Sequence, residues 1–196
     1  MYRDLTKGKI SRSLLLFALP MMAGNLLQQF YNIADTLIVG RVLGRNALAA
    51  VGSAYTLMTF LTSIFLGLSM GSGALFSIYR GRGDEDSLRS AIAHAFGLIM
   101  TVTLLLNIAV YLLIDPILTF LRVPAEVWDG MRQYLLVIFA GLAATSLYNF
   151  FSCLLRALGN SMVSLVFLAV SALLNIGLDL LFVAVLPWGI GGAALA

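Results

Sequence analysis

Apolar residues run along this chain in blocks of twenty or more, separated by short polar intervals, and that pattern predicts its elements. The blocks cover residues 13–39, 47–79, 88–114, 131–155 and 162–186. Each is long enough to cross the roughly 30 Å of hydrocarbon in a bilayer. Backbone groups in lipid must be satisfied within their own segment, so each block is expected to be a helix. The breaks carry the turn chemistry. Residues 40–46 form a tight first break, and RGRGDEDSLR supplies Asp84, Glu85 and Asp86 to the N-terminus of the third span, where negative charge is favourable. Asp115-Pro116 is expected to stop that span, because proline disfavours helix at the residue before it. LRVPAEVWDG reads as a loop, with Trp128 suited to the interface. RALGNS is a short turn with Gly159 as C-cap. Pro187-Trp188-Gly189 ends the fifth span.

The last residues, GIGGAALA, begin a sixth helix. They echo the start of the second span: Gly44, Ala47, Leu48 and Ala49 recur in spacing as Gly191, Ala194, Leu195 and Ala196. Residue 196 therefore reads as a cut within a helix. The expected fold class is all-α, a polytopic membrane helix bundle of five spans and the start of a sixth.

Composition supports this reading. Of 196 residues, 61% are hydrophobic and only 11% charged, against about 25% charged in soluble domains. The expected environment is the lipid bilayer. Net charge is +3, but the basic residues flank spans and form no stripe, so nucleic acid is not an expected partner. Eight of them (Arg3, Lys7, Lys9, Arg12, Arg80, Arg82, Arg89 and Arg156) fall on one side, and Arg41, Arg45, Arg122 and Arg132 on the other. The excess places the N-terminus in the cytoplasm, with residues 1–12 as a cytoplasmic tail and 13–196 as the membrane unit. The start resembles a signal peptide, but its apolar run continues past Pro20, so a retained first span is expected. Cys153 is alone, which excludes an intrachain disulfide or a cysteine-based metal site.

The chemistry lies in polar residues within the apolar blocks. Asp35 closes the first block and Asp179 sits inside the fifth. A charge at membrane depth costs at least about 3 kcal/mol, so it is retained mainly where it works or is paired. On a helix, Gly24, Gln28, Tyr31, Asn32 and Asp35 share one face. Such a stripe faces a bundle interior or a wet cavity, or else joins helices by hydrogen bonds. Asn175 and Asp179 are four apart and share a face of the fifth span. Carboxylate and amide oxygens are hard ligands suited to Na⁺, and a buried carboxylate also accepts a proton readily. The bland alternative is a structural hydrogen-bonded pair. Pro20 removes a backbone bond within the first span and can bend it. Gly67 and Gly71 form a GxxxG pair, read as close helix packing. His94 reads as an ordinary hydrogen-bonded histidine. GRGD at 81–84 lacks the lysine of a phosphate loop. No nucleophile–base set or zinc spacing points to an enzyme.

PMMAGNLLQQFYNIADTLIVGRVLGRNALAAVG, LRALGN, and NIGLDLLF followed by GIGGAALA together resemble the N-terminal half of the multidrug and toxic compound extrusion (MATE) family of secondary transporters. The resemblance covers essentially the whole chain. It implies the N-terminal lobe of a two-lobe transporter of twelve helices, exporting small organic cations in exchange for H⁺ or Na⁺, with no cofactor. It implies a cation site formed by Asp35, Asn175 and Asp179, approached by Tyr134, with a further ligand beyond Ala196. Gln28, Tyr31 and Asn32 would line the substrate cavity, and Pro20 would be the bend. The C-terminal lobe is absent, so it is an expected partner. The expected location is the prokaryotic cell membrane. The alternatives are a non-transporting scaffold or assembly subunit, and a flippase for a lipid-linked precursor on the same fold.

Overall fold

The computed structural model describes residues 10–196; residues 1–9 of the expected tail lie outside them. Over that range the chain is a bundle of helices: α1 Ile10–Val42, α2 Arg45–Arg82, α3 Glu85–Phe120, α4 Ala125–Ala140, α5 Leu142–Ala157, α6 Ser161–Asp179 and α7 Gly189–Leu195. A π-helical turn, Leu180–Val185, continues α6. α1, α2, α3 and α6 with its π turn are each long and apolar enough to span a membrane, and α4 and α5 together make a fifth, bent span. The five expected spans are all present, and α7 opens the sixth.

α1 packs chiefly on α6, α2 against α3, α4 and α5, and α4 against α7. One core cluster joins Phe65 and Leu61 of α2, Ile114 and Leu118 of α3, Met131, Leu135 and Phe139 of α4 and Val183 of the π turn. A second gathers Phe76, Leu88, Ile99 and Phe150, with Phe150 edge-on to Phe76 and Phe96. Large apolar side chains such as Leu104, Leu112, Phe167 and Leu173 point outward, as lipid-facing positions do.

The turns follow local chemistry. Gly83 ends α2 in the left-handed region at φ 72°, and Asp84 caps α3 by accepting from the Ser87 N–H at 3.0 Å. Glu85 and Asp86 fill the first turn as expected, and Arg80 of α2 pairs with Glu85. Gly159 turns the chain at φ 83°, and Asn160 caps α6 through the Val163 N–H. The Ser87 side chain and amide hold the exposed Asp84 carboxyl below its ordinary range. A lowered folded-state value means that the cap stabilises above the unfolded-state pKa and is lost as pH falls through the folded-state one. Asp84→Ala is therefore expected to reduce hydrogen-exchange protection of the Ser87 amide at neutral pH, with the difference vanishing in strong acid. Equal protection at neutral pH would show that the cap contributes nothing.

Four expectations need correction. α3 does not stop at Pro116 but runs to Phe120; Leu118 lies fully buried in the core, and its burial favours continuing the helix past the proline. The fourth span begins at Ala125, within the expected loop, and breaks at Gly141 with a 48° bend. Gly67 and Gly71 would meet nothing within 4 Å if given a Cβ, so they mediate no helix packing within the described residues. In the echoed turns, Gly189 rather than Gly191 has the positive φ of Gly44; Gly191 already lies inside α7.

Candidate functional site

The polar stripe of α1 divides into three parts. Gly24 is buried against α6, where an added Cβ would lie 3.3 Å from Leu168 Cδ2. Gln28, Tyr31 and Asn32 are bonded along their own helix. Gln28 Nε2 donates to Tyr31 Oη at 3.4 Å, and Asn32 Nδ2 to Gln29 Oε1 at 3.2 Å. None of these bonds joins α1 to a neighbour, so the interhelical-glue reading does not describe them. Asp35 is half-buried, and its Oδ1 is buried without a hydrogen-bond partner.

α6 brings the other half. Asp179 is fully buried at 0% exposure, and neither carboxylate oxygen has a partner among the described residues. Asn175 Oδ1 is likewise buried and unpartnered. The two side chains share a face but do not bond to each other, so the structural-pair reading fails as well. Asp179 is the last α-helical residue before the π turn, and both α6 and that turn pack on α1. Tyr134 is buried on α4.

Four buried acceptor oxygens without protein partners are what a bound cation or an added proton satisfies. Among the described residues no three His, Cys, Asp or Glu side chains come together. The unpartnered oxygens of Asp35, Asn175 and Asp179 are carboxylate and amide oxygens, which are hard donors.

Pro20 lies inside α1, which continues as helix on both sides of it. The Ser161 hydroxyl, at the start of α6, donates to the Phe17 carbonyl at 3.3 Å. That carbonyl is three residues before the proline, in the turn that a proline disturbs. His94 donates from Nδ1 to the Ser90 carbonyl at 2.7 Å, the ordinary role expected of it. Cys153 is buried, with its backbone against Gly73.

The family model MatE matches residues 20–181. The chain is 34% identical over 192 residues to "Probable multidrug resistance protein YpnP" of Bacillus subtilis (strain 168), covering 97% of this chain and 43% of that protein. It is 28% identical to "Multidrug export protein MepA" of Staphylococcus haemolyticus (strain JCSC1435), covering 96% of this chain and 42% of that one. Among solved structures, it superposes on a MATE protein in complex with MaD3S with a TM-score of 0.91 at 26% identity, over 97% of this chain and 43% of the other. An outward-facing multidrug resistance MATE transporter gives 0.90 at 26% identity, over 95% and 41%. The chain thus spans less than half the length of these relatives, which are multi-pass membrane transporters rather than enzymes. By the family match across its membrane helices and by this superposition, the chain belongs to the MATE family and has the fold of that family's N-terminal lobe.

Proposed function

We propose that this lobe serves export of small organic cations in exchange for H⁺ or Na⁺, with Asp35, Asn175 and Asp179 as the exchange site and Tyr134 at its edge. One observation carries the reading: a fully buried aspartate inside a membrane helix whose two oxygens have no protein partner. An unpaired carboxylate in such a place is costly. Protonation or Na⁺ binding removes that cost, so occupancy changes which arrangement of α1 and α6 is favoured. Gln28, Tyr31 and Asn32 line the adjoining cavity face of α1. The N-terminus is cytoplasmic, from the excess of lysine and arginine on that side, and the host membrane is the prokaryotic cell membrane. The second lobe of the family completes the transport cycle, since alternating access generally rocks two repeats about a central site.

The test is made on the purified chain in lipid nanodiscs. Binding of ²²Na⁺ and proton release are measured while the lipophilic cation tetraphenylphosphonium is titrated. Exchange predicts that the organic cation displaces bound Na⁺ or protons, and that its apparent affinity falls at low pH or high Na⁺. Binding indifferent to both ions would remove the exchange reading.

A further inference from the structure

α1 meets the rest of the bundle mainly through α6, and two contacts fix how these helices lie against each other. The Ser161 hydroxyl donates to the Phe17 carbonyl at 3.3 Å, across a sequence separation of 144. Further along α1 Gly24 is buried, and a Cβ there would stand 3.3 Å from Leu168 Cδ2 and 3.7 Å from Leu165 Cδ1. Gly24 follows Phe17 by the same interval as Leu168 follows Ser161, so the second contact repeats the separation of the first. The two helices are therefore parallel and advance in step. The second contact lies beyond Pro20, so the register holds on both sides of it.

The two points act differently. Ser63, Ser77 and Thr101 turn back to the carbonyl four residues earlier on their own helices. Ser161 is the first residue of α6, and the residue four before it ends α5, so its hydroxyl reaches across to α1. A carbonyl oxygen has two lone pairs; the bond adds to α1's own ladder and needs no gap in it. A slide of α1 by one turn would offer Ser161 another carbonyl. It would also bring Pro20 or Gln28 against Leu168 in place of Gly24, where even one added carbon is tight. Gly24 selects the register and Ser161 fastens it.

That register bears on the buried acids. A helix of 3.6 residues per turn returns to the same azimuth after about 18 residues. Asp35 stands at that interval from Phe17, and Asp179 at that interval from Ser161. Each acid therefore lies on the face of its helix that carries the contacts, at the same height along the pair. Burial marks the same face of α1 independently. Met21, Gly24, Leu27, Tyr31, Ala34 and Asp35 are covered, whereas Met22, Leu26, Phe30 and Ile33 are exposed. Gln28 shares the face but is exposed and bonds to Tyr31 of its own helix. α1 also packs on the π turn that follows Asp179, as equal heights require.

We propose that Gly24, with Ser161 as a second point, is a positioning residue that seats α1 on α6 in the register that sets Asp35 level with Asp179. Its functional meaning rests on the exchange-site reading, but the register is measured without it.

The experiment uses the full 196-residue chain in nanodiscs, in a Cys153→Ser background. Tyr31→Cys and Asn175→Cys share the separation of the two contacts. A short, membrane-permeant bismaleimide should join them, read as the mass of one linker closing both thiols. Ile33→Cys, on the exposed face, should stay unjoined to Asn175→Cys. Gly24→Leu is expected to slow the joining of the first pair about tenfold. Gly24→Ala meets only the flexible end of Leu168 and should slow it less, as should Ser161→Ala, while Ser161→Thr keeps the hydroxyl and the native rate. With Tyr31 and Asn175 restored, the same substitutions should weaken, in the same order, the displacement of ²²Na⁺ or protons by tetraphenylphosphonium. Joining of Ile33→Cys in place of Tyr31→Cys overturns the register. Unchanged joining in Gly24→Leu overturns the seat; if that variant does not fold, unchanged joining in both Gly24→Ala and Ser161→Ala does so. Slowed joining with native ion displacement overturns the positioning role. Asp35→Asn and Asp179→Asn test the underlying reading separately: if neither alters ion displacement, the exchange site fails, and the joining rates still decide whether Gly24 and Ser161 set the register.

Discussion

Asp179→Asn is expected to abolish the competition between organic cations and H⁺ or Na⁺ while leaving the protein inserted and at least as heat-stable as the native chain. The amide keeps the shape of the carboxylate but cannot gain or lose a proton, and it lacks the charge that attracts Na⁺. Asp179 is fully buried and neither of its oxygens is paired. Leaving a buried polar group unsatisfied costs about 1–3 kcal/mol, and more when it is charged. Removing the charge should therefore raise the thermal midpoint under conditions in which the native carboxylate is ionised and empty. Asp35→Asn should give the same functional loss with a smaller stability gain, because Asp35 is only half-buried. Displacement of ²²Na⁺ and proton release by tetraphenylphosphonium, with a thermal melt followed by exposure of Cys153 to a thiol-reactive dye, measure both effects. If both variants retain native pH and Na⁺ dependence, these acids are structural.

The second large effect is structural and lies next to the first. Gly192→Ala is expected to destabilise the lobe by roughly 1–3 kcal/mol and to lower its thermal midpoint by several degrees. An added Cβ would come within 2.9 Å of the Phe182 carbonyl oxygen and 3.0 Å of Trp188 Cβ. The Phe182 carbonyl accepts the Trp188 N–H at 2.9 Å, and the two rings stack at 4.8 Å, so neither neighbour can move freely. Phe182 belongs to the π turn that starts directly after Asp179. The same substitution is therefore expected to weaken binding at the proposed H⁺ or Na⁺ site as well as the fold. Gly67→Ala is the control, since nothing lies within 4 Å of its added Cβ, and alanine there should be neutral or slightly stabilising. A Gly192→Ala variant as stable as Gly67→Ala would show that the π turn tolerates being pushed.

The spans were legible because lipid imposes one rule along the whole chain: a long apolar run must form a helix. The turns at Gly83–Asp84 and Gly159–Asn160 were legible because glycine and a capping side chain act locally. Asp35 and Asp179 stood out because a carboxylate in an apolar run is costly and is retained mainly where it works or is paired. The bend at Gly141 did not stand out, because a single glycine in a membrane helix is ordinary and the side chains bonded to the bent span, Asn107 and Tyr111, come from another helix. The continuation of α3 past Pro116 was missed for a related reason: a local preference against helix lost to burial of Leu118.

The sequence by itself therefore determined the number of the spans, which acids lie within them and, through matching residues, the family. Only the tertiary structure decided that the Asp35, Asn175 and Asp179 oxygens are buried without partners, that Asn175 and Asp179 do not bond to each other, and that the fourth span is bent and tied to α3. The division has a physical cause. Hydropathy, caps and helical period are set by neighbours in the chain, whereas a partnerless oxygen or a borrowed hydrogen bond exists only once distant helices have packed.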